Sequence, residues 1–83
     1  MNYTVVWTGE AERRLTRLWL SARARHAIRD AADQIDAALQ SQPHEYGESR
    51  DAGIRIALLS PLGVLYRINE QERQVRVLSV WEF

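Results

Sequence analysis

The 83-residue sequence predicts an α+β domain: an antiparallel sheet, made of a short N-terminal strand and a C-terminal three-strand meander, packed on one face by a two-helix hairpin. Three observations predict it. The last thirty residues hold apolar runs at 53–60, 61–68 and 75–83, separated by a Pro61/Gly63 turn and by the polar stretch 69–74. The first forty hold two apolar stripes at helical spacing, and ahead of them Tyr3-Thr-Val-Val-Trp7 is rich in strand-forming residues. One domain, 1–83, is expected, near the size where roughly 60% of the unfolded surface is buried and a partner adds useful stability.

In chain order, Tyr3, Val5 and Trp7 alternate onto one face of the first strand. Thr8 caps a helix over about 10–20, whose first turn carries Glu10 and Glu12 beside the positive end of the helix dipole. Its apolar stripe is Ala11, Leu15, Leu18 and Trp19, and Arg13, Arg14 and Arg17 point elsewhere. A second stripe, Ala24, Ile28, Ala31, Ile35 and Leu39, ends before Pro43, because proline disfavours helix in the residue before it. Small residues on that stripe allow close packing against the sheet. The connection 41–52 is polar, contains proline and glycine, and is expected as a surface loop.

Composition excludes several chemistries. There is no cysteine, and two histidines make a structural zinc site a poor expectation. All eleven basic residues are arginine, which removes lysine Schiff-base and proton-shuttle chemistry. The formal net charge is zero, against broad non-specific nucleic-acid binding, although local arginine patches remain open. No apolar stretch reaches the ~20 residues that span a bilayer, and the N-terminus lacks a signal-peptide pattern. No membrane, metal or small-molecule cofactor is expected, and the expected location is cytoplasmic.

Alternation sorts the last strands. Ile54, Ile56 and Leu58 are expected to face the helices, as are Val64, Tyr66 and Ile68, which puts Arg55 and Arg67 on the open sheet face. For the final strand, either Arg76, Leu78 and Val80 or Val75, Val77, Ser79 and Trp81 face that way.

The order of strand, helical hairpin, loop and meander resembles the RelE/ParE superfamily of bacterial toxins over nearly the whole chain. The residues that carry the likeness are Tyr3-Thr-Val-Val-Trp7 with Glu10-Ala-Glu-Arg-Arg-Leu15, Ala38-Leu-Gln-Ser-Gln-Pro43, Gly47-Glu-Ser-Arg50, Gly63-Val-Leu-Tyr-Arg-Ile68 and Val75-Arg-Val-Leu-Ser-Val80. The resemblance implies a toxin neutralised by a cognate antitoxin. RelE-type members cleave messenger RNA in the ribosome; ParE-type members inhibit DNA gyrase. A third possibility is an inactive homologue retained as antitoxin partner and co-repressor. Arg55 falls where the RelE branch keeps a basic residue, but Ala57 falls at a second such position, Gly63 replaces an arginine, and the sequence stops at Trp81-Glu-Phe83 where that branch continues with a basic or aromatic tail. The resemblance therefore implies translation as target with a degenerate cleavage site, and gyrase as the alternative.

Metal-free attack by a 2′-hydroxyl needs a proton acceptor, a charge to steady the phosphorane and an acid for the leaving oxygen. Arg55 and Arg67 supply only the charge, and they are either phosphate contacts or residues solvated or paired with Glu48, Asp51 or Glu70. Arg50 is either a site residue, by the family parallel, or a surface ion-pair residue. For proton transfer the sequence offers His44, Tyr46, Glu48, Glu82 and His26, with no compact pair evident. Arg13, Arg17 and Phe83 are the candidate contacts to the antitoxin, Arg13 and Arg17 through an acidic segment of it.

Overall fold

The computed structural model describes residues 2–83. In chain order it contains β1 (Thr4–Trp7), α1 (Gly9–Ser21), α2 (Arg25–Ser41), the one-turn helix α3 (Pro43–Tyr46), β2 (Glu48–Ser49), a 3-10 turn (Asp51–Gly53), β3 (Ile54–Leu59), β4 (Leu62–Asn69) and β5 (Gln74–Glu82). The strands form one sheet in the order β1-β5-β4-β3-β2. The predicted α+β architecture is present, with two differences in the sheet: β2 adds a fifth strand at the β3 edge, and β1 pairs with β5 in parallel, so the sheet is mixed. Parallel neighbours need a long crossover, and here the helices and the meander together supply it.

Local chemistry accounts for the helices. Thr8 Oγ1 accepts from the Ala11 N–H at 3.2 Å, so the expected cap opens α1 one residue earlier than the stripe suggested. In α2 the buried stripe is Ile28, Ala31, Ile35 and Leu39; Ala24 precedes the helix and is exposed. Pro43 ends the run as expected, and it also starts α3 at the first helical position, where its missing N–H costs nothing. The connection expected as a loop thus holds α3, β2 and the 3-10 turn.

The meander corrects two assignments of facing. Arg55 pairs with Tyr66 and Ala57 with Val64, and directly paired residues share a face. Tyr66, Val64 and Ala57 are buried in the core, whereas Leu58 is 61% exposed. So Arg55, Ala57 and Leu59 face the helices, and Ile54, Ile56 and Leu58 face outward, the reverse of the expectation. Strand 54–59 carries apolar residues on both faces, and the expectation sent the face with the charge to solvent. Hydrogen bonds at the end of the sheet reverse that choice. In β5, Leu65 pairs with Ser79 but Tyr66 with Val77, which leaves Leu78 as an extra residue. That bulge shifts the alternation, so Val75, Val77 and Val80 face the core while Arg76, Ser79 and Trp81 face outward. Neither single-phase facing of the last strand holds.

The core lies between the helices and the inner sheet face, around Ile28, Ile35, Leu39, Leu62, Val64, Tyr66, Val75 and Val77. Among the described residues no helix is long and apolar enough to cross a membrane.

Candidate functional site: the open face of the sheet

The outward face has two chemically different ends. At the β4–β5 turn end, Arg67 lies directly opposite Arg76, and Ile54 is the neighbour of Arg67 on β3. Both arginines are exposed, and neither side chain has a hydrogen bond or ion pair among the described residues. Like charges directly opposite on a sheet cost roughly 0.2–1 kcal/mol, and nothing here offsets it. A groove of about 440 Å³ runs beside them, lined also by Glu70, Gln71, Gln74 and Leu78. Arg67 therefore stands where it was expected; Arg76, not singled out from the sequence, is its partner in position.

At the other end, Leu58, Gly63 and Trp81 form a row across β3, β4 and β5. The indole of Trp81 covers Gly63 so closely that a Cβ there would fall 2.5 Å from Cε2. Leu58 and Phe83 are 61% and 59% exposed, and the Phe83 N–H donates to the Pro61 carbonyl at 2.9 Å. Ala57 and Gly63, the two positions where the resemblance implies basic residues, are thus a core residue and a residue under an indole. A second groove, of about 380 Å³, lies where Arg14 and Arg17 of α1 approach residues 78–81 of β5. Arg13 and Arg17 are exposed and, among the described residues, make no ion pair.

Arg55, expected on the open face, lies on the inner one. Its Nε donates to Tyr66 Oη at 3.3 Å, and its Nη2 donates to the carbonyls of His44 at 2.5 Å and Gly47 at 2.6 Å. Tyr66 Oη in turn donates to the Pro43 carbonyl at 2.7 Å and accepts from the Gly47 N–H at 3.0 Å. The guanidinium, itself half-buried, pins the segment 43–47 to β3 through carbonyl and hydroxyl partners rather than a carboxylate. Arg50 pairs with exposed Glu48 at 3.2 Å, an ion pair of little energetic weight.

Sequence reasoning missed a cluster around Glu70. Its carboxylate accepts from Tyr3 Oη at 2.8 and 2.9 Å, lies 2.6 Å from His44 Nε2, and accepts from Arg73 Nη1 at 3.2 Å. The Arg73 guanidinium lies 4.1 Å from the centre of the Tyr3 ring. The hydrogen bond to His44, followed by that to Tyr3, holds the Glu70 carboxyl below its ordinary value of 4.5. The same bond to Glu70 raises the Tyr3 phenol. Positions 3, 44 and 70 are too far apart in the chain for any spacing rule to join them, and only Arg73, three residues on, gave a local cue.

The sign of the pH effect follows from the depressed folded-state value. The Glu70 contribution is present above about pH 4.5 and is lost as pH falls through the lowered folded value. Urea midpoints should therefore decline below pH 4.5, and Glu70→Gln should remove part of that decline. An identical pH profile for the variant would rule out the clamp as a source of stability.

No family model and no curated protein matches the sequence. Solved structures do. The fold is similar to a chain of the RelBE2 toxin–antitoxin complex from Mycobacterium tuberculosis, at 26% identity and TM-score 0.80, over 100% of this chain and 93% of that one. It is similar to a chain of the chromosomal ParDE system from P. aeruginosa, at 18% identity and TM-score 0.75, over 96% and 95%. It is also similar to an arginine-to-alanine double mutant of the E. coli toxin RelE in the free state, at 16% identity and TM-score 0.74, over 99% and 84%.

Proposed function

We propose that this chain, a RelE/ParE-superfamily domain by its fold, is the toxin component of a toxin–antitoxin module, neutralised by a cognate antitoxin, and that it arrests growth at the translation apparatus. What carries the choice of target is the unpartnered Arg67–Arg76 pair on the sheet face that the helices leave uncovered, which suits a phosphate-rich target. The toxin acts by occupying that target rather than by cleaving RNA. Arg67 and Arg76 offer charge, but the end of the face where the resemblance implies cleavage presents Trp81 over Gly63. The acid–base pair His44–Glu70 has both carboxylate oxygens engaged, and the depressed Glu70 value makes it a poor proton donor.

Induction in a host lacking the antitoxin should stop growth and amino-acid incorporation while messages stay intact. Cleavage of translated messages at codon boundaries would replace occupation by catalysis, and unchanged incorporation would remove translation as the target. The apolar end of the face, with exposed Leu58 and Phe83 and the Trp81 indole over Gly63, favours a second reading in which the target is a protein such as DNA gyrase. Purified gyrase challenged with excess chain decides that reading, since unchanged supercoiling eliminates it. Growth without any arrest would leave only partnership with the antitoxin.

A further inference from the structure

We propose that the open face of the sheet is self-complementary, and that two copies of this chain associate face to face through it, each laying its arginines on the Trp81 indole of the other. The inference goes beyond the action on translation and does not rest on it, because the argument concerns the surface alone.

The outward residues of β3, β4 and β5 form three rows across the sheet. Ile54, Arg67 and Arg76 make the first, Ile56, Leu65 and Ser79 the middle one, and Leu58, Gly63 and Trp81 the last. A contact between two identical copies closes most simply about a twofold axis, which brings each part of a patch onto its own symmetry mate. Let that axis lie in the contact plane over the middle row, perpendicular to the strands. The second copy then runs in the reverse strand direction, so Leu65 meets Leu65, Ile56 meets Ile56, and Ile54 meets Leu58. Arg76 meets Trp81, and Arg67 meets Gly63, whose outer surface is the Trp81 indole. Facing sheets lie about 10 Å apart with strands about 30° from aligned, which lets such rows touch.

The chemistry of the rows selects this axis. An axis parallel to the strands over β4 would set Arg67 on Arg67, whereas the perpendicular one sets neither Arg67 nor Arg76 on a cation. A guanidinium stacks well on an indole, and better where water is excluded. In a single copy the Arg67 and Arg76 side chains have no partner among the described residues, and Leu58 is exposed at the other end of the face. One contact meets both deficits. Glu48, across from Ile56 on β2, extends the middle row to its rim, where Arg50 at 3.2 Å offsets the meeting of Glu48 with its own copy. A face three strands wide covers less than the ~800 Å² per partner of a standard interface, so a Kd on the order of 100 µM is expected. Where this face acts on a target, association hides it, and the dimer is the silent form.

The test is sedimentation equilibrium of the purified chain, at concentrations spanning tenfold on either side of that Kd, with a short bismaleimide cross-linker to locate the axis. Arg76→Gln and Trp81→Ala should each weaken association about tenfold or more, because symmetry makes each change count twice. The chain has no cysteine, so single cysteine variants report position cleanly. Leu65→Cys, on the axis, should cross-link to itself. Arg76→Cys alone and Trp81→Cys alone should not, whereas an equimolar mixture of the two should. A monomeric mass at every concentration overturns the proposal. Equal cross-linking of all three single variants does so as well, since it would reflect random collision. Cross-linking of Arg67→Cys to itself would put the axis along the strands and remove the contact between arginine and indole. None of these readouts involves translation, so their failure leaves the proposed target standing, and failure of the target leaves the dimer standing.

Discussion

Tyr66→Phe should destabilise the domain by about 2–4 kcal/mol, although it removes a single oxygen. Tyr66 is fully buried, and its hydroxyl serves the Pro43 carbonyl, the Gly47 N–H and Arg55 Nε together. Deleting it leaves a carbonyl and an N–H without their partner at the inner edge of the sheet, at about 1–3 kcal/mol for each buried unsatisfied group. A domain of this length has roughly 4–12 kcal/mol in all, so the loss is a large fraction of the total. Urea unfolding at constant m measures it. A drop below about 1 kcal/mol would mean that solvent replaces the hydroxyl and that the 43–47 segment is not anchored there. Combining it with Arg55→Ala in a double-mutant cycle should give a coupling of roughly 0.5–3 kcal/mol, whereas simple additivity would show that Arg55 acts independently. The cycle bears on function too: loss of toxicity in Arg55→Ala would be expected from lost folding, and does not by itself make Arg55 a substrate contact.

Gly47→Ala is the second large effect expected, about 1–3 kcal/mol, and its cause is steric. Gly47 has φ −104° and ψ 177°, a conformation open to any residue. What excludes a side chain is proximity: a Cβ would sit 2.6 Å from the Ile56 carbonyl oxygen and 2.6 Å from Tyr66 Oη. The carbonyl belongs to the paired backbone of β3 and cannot rotate away, so the segment must lift from the strand and loosen its bonds to Tyr66 and Arg55. Gly63→Ala is a useful control, because its close neighbour is the Trp81 side chain, which is free to shift. Thermal midpoints should rank Gly47→Ala below Gly63→Ala, and the reverse order would locate the tighter packing at Trp81.

These two residues show why the site was only partly legible. Gly47 and Tyr66 read from the sequence as a loop glycine and a core tyrosine, and each description is correct as far as it goes. Their contact depends on how β3 lies against α3, which no periodicity encodes. Charge and alternation both point Arg55 and Arg67 to the open face, and the structure places only Arg67 there. The difference is what waits beside each: at Arg55 the carbonyls of His44 and Gly47 and the Tyr66 hydroxyl satisfy a guanidinium, and the Arg67 side chain has no such partners among the described residues. Alternation alone leaves Arg76 as one of two choices for the open face, and the bulge at Leu78 decides it.

By itself the sequence determined the first strand, the two long helices with the cap at Thr8, the meander and, through them, the resemblance to RelE/ParE toxins, since each rests on spacing within a few residues; the short elements of the 41–52 connection it did not. Tertiary structure decided the parallel pairing of β1 with β5, the facing of β3, the phase shift in β5 and the gathering of Tyr3, His44 and Glu70. The physical reason is one of range. A turn or a stripe is set by neighbours along the chain, but the side of a sheet on which an arginine rests is set by which distant donors and acceptors are there to meet it.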